Sequence, residues 1–352
     1  MPNDVRNLER QARRLLHPDV YDFMAAGAGQ ERTLRANRKA WRDVTLFPWV
    51  LRDVSAVDTS VTLAGARLAT PVGVAPTAAH CLAHPDGEVA TATGAAQAGA
   101  LYIMSTRSSR RIEDIAAATA AAGGTWWFQV YVLRDRQLTV DLVRRAVAAG
   151  AAALVLTGDT PVVGDKPRVR EGTTVDGAAF GGNLDPALDP LATTQATDVT
   201  MADIGWLAGI GGGLPVFVKG VLRPSDAVAC VRHGAAGVIV SNHGGRQFDG
   251  APATARALPA VVAALRAESG PAGTPPPEVY VDGGVRSGAD VLAALALGAQ
   301  AVFAGRPVFW ALATGGAPGV ESLLTGLTAS LSHVMALAGA TSVTALPALS
   351  AL

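Results

Sequence analysis

The sequence predicts an α/β fold in which eight parallel strands, each followed by a helix, close into a (β/α)8 TIM barrel. Three observations support this prediction. From residue 71 onward, short apolar stretches alternate with alanine-rich amphipathic stretches, which is typical of parallel βα units. The apolar stretches number eight, as such a barrel requires. Polar residues are concentrated directly after them, where a barrel carries its active site.

The predicted strands are short, and helices are predicted between them at 87–98, 139–149, 225–233 and 288–297. An open doubly wound sheet is the structural alternative. No GxGxxG motif follows the first strand, which disfavours a dinucleotide-binding half. The strands are predicted at 71–75, 101–105, 126–130, 152–157, 215–219, 237–241, 278–282 and 301–304.

The predicted domain covers the whole chain, with three segments outside the regular βα repeat. The N-terminal segment begins with two helices, the first with Leu8, Ala12 and Leu15 on one face. The segment after the fourth strand is rich in Gly, Ala, Asp, Thr and Pro, and we expect a mobile lid over the active-site mouth. The predicted parts are the N-terminal extension (1–70), the barrel (71–310), the lid loop (161–214) and the C-terminal helices (311–352).

Composition argues against several classes of protein. Hydrophobic residues make up 49% and charged residues 16%, and the formal net charge is zero without a basic stripe, so no nucleic-acid partner is expected. Apolar runs are broken before they reach bilayer length, so no membrane partner is expected. The two cysteines, Cys81 and Cys230, form neither a disulfide framework nor a metal-ligand spacing. A cytoplasmic location and no metal are therefore expected.

Two glycine-rich clusters predict a phosphate site. DGGVRSG follows the seventh strand and GRP follows the eighth. Loops at these two positions are a recurrent phosphate site in barrels. Glycine lets the backbone approach an anion, and arginine forms bidentate hydrogen bonds with it.

Three further residues indicate acid–base chemistry at the strand ends. His243 follows the sixth strand among small and charged residues, and we interpret it as a general base. Asp159, after the fourth strand, would orient the imidazole and stabilise its protonated form. Lys219 ends the apolar run LPVFVKG and needs an anionic partner or a catalytic role.

Several motifs, in order along the chain, resemble one family. They are YDFMAAGAG, APTAAHCLAHPDGE, WFQVY, LTGDTP, VKGV, SNHGGRQ and DGGVRSGADVLAALALGAQAVFAGRP. Together they resemble the FMN-dependent 2-hydroxy-acid oxidase and dehydrogenase family, of the glycolate oxidase, lactate oxidase and mandelate dehydrogenase type. The similarity runs from about residue 5 to 345.

The resemblance implies FMN as cofactor and assigns residues to it. Lys219 would lie near the pyrimidine edge, where a cation stabilises negative charge on the reduced flavin. Ser241 matches another flavin contact. The other implied flavin contacts are Pro76, Thr77, Ala78, Ser105, Gln129 and Thr157. The implied ribityl-phosphate site comprises Asp282, Gly283, Gly284, Arg286, Gly305 and Arg306.

The resemblance also implies the chemistry. His243 matches the base that removes a substrate proton while two electrons pass to flavin N5, as hydride or through a carbanion; the sequence leaves both routes open. Asp159 matches its partner, and Arg246 and Tyr131 match the substrate-binding pair.

The sequence departs from the family in the substrate shell. Phe23 stands where the family has a Tyr that contacts the substrate carboxylate, and Lys166 where it has an Arg, which removes a planar fork. Arg168 or Arg170 could replace that Arg. Arg107 occupies a position that is often aromatic or small in relatives and adds positive charge.

We therefore expect oxidation of a 2-hydroxy acid, or of a close analogue that is bulkier, lacks a carboxylate or carries an amine. Two alternatives remain: a non-redox FMN barrel isomerase, against which SNHGGRQ argues, and a weakened flavoprotein that binds a ligand or partner. Dioxygen is the expected electron acceptor, with monooxygenase chemistry as a variant and another acceptor left open. Relatives are often tetramers, so a homotetramer is expected.

Overall fold

The computed structural model describes residues 5–169, 175, 177–268 and 276–346, and within them eight parallel strands form a closed barrel. A hairpin, β1 (Val61–Leu63) with β2 (Ala66–Leu68), precedes it. All eight predicted strands are confirmed, with ends displaced by at most two residues. The barrel strands are β3 (Val72–Val74), β4 (Tyr102–Met104), β5 (Trp126–Val130), β6 (Leu154–Thr157), β7 (Val216–Val221), β8 (Gly237–Val240), β9 (Glu278–Asp282) and β10 (Ala301–Ala304), and β10 pairs with β3 to close the ring.

The inside of the barrel is a packed aromatic and aliphatic core. The Trp127 ring stacks on Phe217 with centroids 4.7 Å apart, and Tyr280 and Phe303 pack around them. Leu63 of the hairpin is buried in the same cluster, so β1 and β2 belong to this core. Because packed side chains fill the interior, the ligand cavity has to lie at one end of the barrel.

Helices form the outer layer and pack against the outward faces of the strands. The four helices predicted between strands are confirmed and begin within three residues of their predicted starts, because these segments carry an apolar stripe that faces the barrel. The helices after β3 are α4 (Gly87–Gln97), α5 (Ile112–Ala121), α6 (Arg136–Ala148), α7 (Ala202–Ile210), α8 (Pro224–Arg232), α9 (Thr254–Ala267), α10 (Gly288–Ala296) and α11 (Arg306–Leu337).

The N-terminal extension contains three helices where the sequence predicts two. They are α1 (Val5–Leu15), α2 (Pro18–Ala25) and α3 (Arg32–Arg42). The third was missed because its sequence is dominated by charge, and its buried face includes the polar Thr33 and Asn37. That face packs on the loop after β8 and on α9, so α3 lies beside the C-terminal ends of the barrel strands.

The predicted lid loop is shorter than expected, because α7 lies inside the range 161–214. Gly205 and Gly209 lower the helix propensity of this segment, so the sequence did not predict the helix. In the structure, burial of its own residues Ile204 and Leu207 stabilises it. We refer to residues 161–201 as the lid segment. Its described part carries a short 3₁₀ turn, Gly177–Phe180, and Arg170 lies outside the described residues.

The C-terminal region begins with one long helix, α11, which starts five residues before the predicted boundary at 311. By length and composition alone it is the one described helix that could span a membrane. Its backbone leaves helical geometry at Gly316 (φ 59°, ψ −144°), and Phe309, Trp310 and Leu331 on it are fully buried in the protein.

Candidate active site

A cavity of about 1100 Å³ opens at the C-terminal ends of the barrel strands. Its walls are the loops after the strands, the end of α2 and the lid segment. Most of the predicted site residues share this cavity. Those that line it are Phe23, Pro76, Thr77, Ala78, Ser105, Arg107, Tyr131, Lys166, Lys219, His243, Arg246, Asp282, Gly283, Gly284, Arg286, Gly305 and Arg306.

Four predicted residues, Gln129, Thr157, Asp159 and Ser241, do not line this cavity. Gln129 is buried, its Nε2 donates to Thr157 Oγ1 at 2.9 Å, and its Oε1 accepts from Ser105 Oγ at 3.2 Å. Thr157 borders a smaller cavity of about 440 Å³ nearby. This network fixes the ends of three neighbouring strands beside the cavity.

His243 and Asp159 form a partly buried pair across the ends of β8 and β6. The distance from His243 Nδ1 to Asp159 Oδ1 is 3.0 Å. Because an ionised carboxylate only accepts hydrogen bonds, the imidazole proton lies on Nδ1, and Nε2 carries the free lone pair. His243 has a φ of 56°, and its backbone N–H donates to Ser241 Oγ at 3.0 Å. The pair is arranged as a base with an orienting partner.

Electrostatics keep this pair in the form that a base requires. Burial lowers the pKa of His243, and the Lys219 cation lowers it further, so the ring is neutral at pH 7. Burial acts to raise the pKa of Asp159, but the Lys219 cation and the hydrogen bond from His243 outweigh it and hold that pKa below its usual range. Asp159 is therefore charged beside a neutral imidazole.

Lys219 and Asp282 form a second pair, which is buried and which Ser241 connects to the base. The Lys219 Nζ lies 3.4 Å from Asp282 Oδ2 and donates to Ser241 Oγ at 3.0 Å. Ser241 Oγ in turn donates to Asp282 Oδ1 at 2.6 Å. Burial acts to lower the pKa of Lys219, yet Asp282 and Asp159 raise it overall, so a permanent cation lies next to His243.

A bulge in β7 lets Asp159 approach Lys219. The pairing of β7 with β8 shifts register between Lys219 and Val221, and Gly220 between them has a φ of 104°. A Cβ on Gly220 would lie 2.4 Å from the Asp159 Cβ. Only glycine allows both this backbone conformation and this contact.

Two arginines bind the C-terminal end of α2. Arg246 Nη1 donates to the carbonyl oxygens of Phe23 and Ala26 at 2.8 and 2.9 Å. Arg306 Nε donates to the carbonyl of Met24 at 2.9 Å, and its Nη2 to that of Ala26 at 2.8 Å. The last carbonyls of a helix lack partners within the helix and carry partial negative charge, so they orient both guanidinium groups.

The cavity end near β9 and β10 has excess positive charge. Burial lowers the pKa of Arg286 to about 10, and burial and the neighbouring arginines hold that of Arg306 well below its ordinary value. In the described part of the chain, neither forms an ion pair with a carboxylate, and Arg286 Nη1 donates only to the Val285 carbonyl. Arg306 is buried and Arg286 is partly buried. Two such cations without counterions form a site for an anion.

The same cavity is also lined by Phe23 and Lys166, the residues that differ from the motifs of the resembled family. The rings of Phe23 and Phe180 pack edge to face with their centroids 5.7 Å apart and form an apolar part of the cavity wall. Lys166 Nζ donates to the Gly164 carbonyl at 2.7 Å, and burial and Arg246 lower its pKa to about 8. Burial raises the pKa of Tyr131, so its hydroxyl stays protonated. Arg168 instead pairs with Glu31 at 2.7 Å and does not line the cavity.

Three structural residues were not predicted from the sequence. Asn37 of α3 and Asn242 exchange two amide hydrogen bonds, both of 2.8 Å, and both are buried. Trp41 Nε1 donates to the Gly283 carbonyl at 2.8 Å. One helix therefore supports both the loop of His243 and the loop of the anion site. The signal in the sequence was an Asn on the buried face of α3, four residues before a Trp.

Comparison with protein families matches residues 12–350 to the FMN-dependent dehydrogenase family. Among curated proteins, the chain is 43% identical over 351 residues to a 4-hydroxymandelate oxidase of Amycolatopsis orientalis, covering 96% of this chain and 95% of that protein. It is 39% identical over 365 residues to an L-lactate oxidase of a Nostoc species, covering 96% and 94%. It is 42% identical over 359 residues to a peroxisomal (S)-2-hydroxy-acid oxidase of Oryza sativa subsp. japonica, covering 97% and 94%.

Two solved structures illustrate the structural similarity. A mandelate oxidase with (S)-2-phenylpropionate superposes with a TM-score of 0.89 at 42% identity, covering 99% of this chain and 97% of that one. A mandelate oxidase variant with an FMN adduct superposes with a TM-score of 0.88 at 42% identity, covering 97% and 98%.

Proposed function

Because this chain belongs to the FMN-dependent dehydrogenase family, whose relatives here are 2-hydroxy-acid oxidases, we propose that it oxidises a 2-hydroxy acid to the 2-oxo acid with dioxygen as electron acceptor. The two hydrogens lost by the substrate would appear in hydrogen peroxide. The observation that carries the proposal is the neutral His243 with Asp159 at 3.0 Å, in a cavity rich in cations.

The residues of the cavity fit FMN. Arg286 and Arg306, whose charges are not neutralised by a carboxylate, suit its phosphate. Both line the cavity together with Gly283, Gly284 and Gly305. Gly305 lines the cavity together with Thr77 and Ala75, and a Cβ added to it would meet only these two residues within 4 Å. The absence of a side chain at Gly305 therefore leaves room for a ligand. Lys219 adds a fixed cation to the wall of the cavity that Ser105 and Pro76 also line. When bound, FMN accepts two electrons from the substrate carbon and passes them to the final acceptor.

The residues of the chain supply binding and proton transfer. Arg246 and Lys166 would hold the substrate carboxylate by charge, and the protonated Tyr131 would donate to a substrate oxygen. His243 Nε2 would then take the substrate proton, while Nδ1–H donates to Asp159 Oδ1. The ionised Asp159 stabilises the imidazolium that forms. Lys219 favours negative charge that develops near it.

The proposal is tested by anaerobic titration of the yellow holoenzyme with 2-hydroxy acids, including lactate, glycolate and mandelate. Loss of the flavin absorbance, followed by recovery on admission of air with formation of hydrogen peroxide, is the expected result. Reduction without recovery in air would exclude dioxygen as acceptor. Absence of reduction by every acid, in an enzyme that dithionite reduces, would contradict the assigned reaction.

Replacement of the base gives the sharpest single-residue test. His243→Ala should retain bound FMN and slow its reduction by substrate about 10²- to 10⁴-fold, because general-base catalysis contributes that much. The matched control is His233→Ala, since His233 is exposed at the end of α8. Stopped-flow absorbance measures both. Unchanged reduction in His243→Ala would refute its role as base.

We also propose a homotetramer in the cytoplasm. Support for assembly comes from an exposed apolar patch in which Phe47, Val50 and Leu51 lie near Leu337, because Trp49 N–H donates to the Ala338 carbonyl at 3.0 Å. Support for the compartment comes from Cys81 and Cys230, which are both free thiols. Light scattering of Val50→Asp, which should dissociate the assembly, and cell fractionation test the two statements. A monomeric parent protein or recovery in an organelle would contradict them.

A further inference from the structure

Arg107 is a cation of the active-site cavity that the proposed mechanism does not use. It follows β4, is partly buried and lines the cavity. Its guanidinium Nη2 donates to the carbonyl of Thr193 in the lid segment. Burial lowers the pKa of Arg107, and the Tyr131 hydroxyl is close enough to act on it. Its charged group therefore lies in the substrate region rather than in bulk solvent.

The carboxylates of the cavity do not neutralise Arg107. In the part of the chain that the structure describes, two carboxylates line the cavity, Asp282 and Asp198. Asp282 pairs with Lys219 at 3.4 Å, and Asp198 pairs with Arg136 at 3.4 Å. Arg107 thus faces the cavity with a carbonyl as its one described side-chain partner.

The charges of a simple 2-hydroxy acid also leave Arg107 unmatched. One carboxylate would meet two cations, Arg246 and Lys166, and the phosphate of FMN would meet Arg286 and Arg306. A partly buried guanidinium without an anion is unfavourable, and a second acidic group on the substrate would compensate it.

We propose that Arg107 binds a second acidic group of the substrate, so that the preferred substrates are 2-hydroxy diacids whose first carboxylate is held by Arg246 and Lys166 and whose second carboxylate is held by Arg107. This inference rests on the proposed function and names its substrate class. Arg107 is then a specificity-determining residue rather than a base.

The guanidinium is held ready for such a contact. The chain next to Thr193 is bound to the segment after β5, through Arg134 N–H to the Thr194 carbonyl and Ala196 N–H to the Val132 carbonyl, each at 2.8 Å. The carbonyl of Thr193 occupies one nitrogen of Arg107. Since arginine has five N–H donors, the remaining groups can bind a carboxylate while this contact persists.

The test compares acids that differ only in the distal group, in three matched pairs of increasing length. The pairs are 2-hydroxyglutarate with 2-hydroxyvalerate, 2-hydroxyadipate with 2-hydroxyhexanoate, and 4-carboxymandelate with 4-methylmandelate. The rate constant for anaerobic flavin reduction divided by the apparent Kd is measured for each. In at least one pair the diacid should be preferred by about tenfold or more.

Variants assign the preference to a residue. Arg107→Met should remove the preference for the diacid while it changes the monoacid less than about threefold. Arg107→Lys should retain part of it, because the charge remains without the fork. Arg134→Met is the matched control, since Arg134 is an exposed arginine of the same cavity. Binding of the 2-oxo diacids and monoacids to the oxidised holoenzyme, measured by calorimetry, should show the same pattern in Kd.

The outcomes separate this inference from the proposed function. Reduction by monoacids with no preference in any pair would overturn the inference and leave the reaction standing. If Arg107→Met lowers the ratio of rate constant to apparent Kd equally for the diacid and the monoacid, Arg107 only holds the lid segment in place. If Arg134→Met removes the preference for the diacid and Arg107→Met does not, Arg134 binds the second carboxylate. Either result overturns the inference. No reduction by any of the six acids would count against the proposed function itself.

Discussion

Lys166 is the cavity residue whose charge changes most readily near neutral pH. Burial and the neighbouring Arg246 lower its pKa to about 8, whereas Arg246 itself is lowered only to about 10. A lysine at this position therefore makes the binding of an anion depend on pH in a range where an arginine would not.

The pH dependence of kcat/KM should follow from these two groups. Lys166 is protonated below about pH 8, so binding of the carboxylate should weaken as the pH rises through that value. His243 must be neutral, and its pKa lies below 6.5, so the acid limb should fall below that value. Lys166→Arg should move the alkaline limb upward by at least about one pH unit. The control is Lys39→Arg on the exposed surface, and an unmoved limb in Lys166→Arg would show that another group titrates.

At the scale of single elements, the bulge in β7 positions the orienting carboxylate. The contact between Gly220 and Asp159 joins the ends of β7 and β6, whose strands pair from Leu154 with Val216 to Thr157 with Lys219. If β7 had no bulge and carried a residue other than glycine at position 220, the side chain of that residue would occupy the place of Asp159. The irregularity is therefore a functional feature of the barrel.

Gly220→Ala should displace Asp159 and slow flavin reduction by about tenfold or more, because small misplacements of catalytic groups are costly. Its φ of 104° adds backbone strain, so Gly234→Ala is the matched control: its φ is 96°, but an added methyl group would meet no neighbouring atom within 4 Å. Stopped-flow reduction and thermal unfolding are measured for both. Equal rates in the two variants would show that the contact with Asp159 has no catalytic role.

Helix α3 is the second element with a role beyond packing, because Asn37 fixes the loop of His243. Its amide pairs with that of Asn242, whose Oδ1 also accepts from Gly245 N–H at 3.2 Å. The loop contains three consecutive residues with positive φ, from His243 to Gly245. Such a backbone persists only where neighbouring groups hold it.

Asn37→Ala should lower the free energy of unfolding by about 1–3 kcal/mol, because the buried amide of Asn242 loses the two hydrogen bonds that it exchanges with Asn37. In a protein of 352 residues each kcal/mol lowers Tm by roughly 1–2 °C. Flavin reduction should slow as well, since His243 loses its support. Arg35→Ala, on the exposed face of the same helix, serves as control. A normal rate together with a lowered Tm would limit Asn37 to a role in stability.

At the scale of the whole molecule, the cavity is a concentration of positive charge inside a chain with a formal net charge of zero. Arg246, Arg286 and Arg306 are brought together from three loops, and their mutual repulsion contributes to the lowered pKa of Arg306. The apoprotein bears this repulsion, and a bound phosphate relieves it. Cofactor binding and stability are therefore coupled.

Arg286→Met should have opposite effects with and without cofactor. Without FMN its Tm should equal or exceed that of the parent apoprotein, because a buried charge near other cations is removed. With FMN at about 1,000 times the parent Kd, the parent gains about 4 kcal/mol, and the variant should gain much less. Arg144→Met, exposed on α6, is the control. An unchanged gain from FMN in Arg286→Met would refute the phosphate site.

The sequence by itself determined the barrel, the order of its strands and the residues at their ends. Strands of period two or continuous apolarity, alanine-rich helices and glycine turns are local patterns, so strands such as 126–130 and 278–282 could be placed to the residue. The barrel topology then brings all strand ends to one side, which is why His243, Lys219 and Arg306 share a cavity although they lie far apart in the chain.

Only the tertiary structure decided the contacts between distant segments. Asn37 meets Asn242 across 205 residues, and Arg168 pairs with Glu31 across 137 residues and does not line the cavity. Helix α7 was hidden because its glycines weaken the local signal, while burial of Ile204 and Leu207 stabilises it. A local pattern indicates which face of an element is apolar. It does not indicate which other element covers that face, or which of several arginines points into the cavity. Packing and the positions of carbonyl and carboxylate groups decide both.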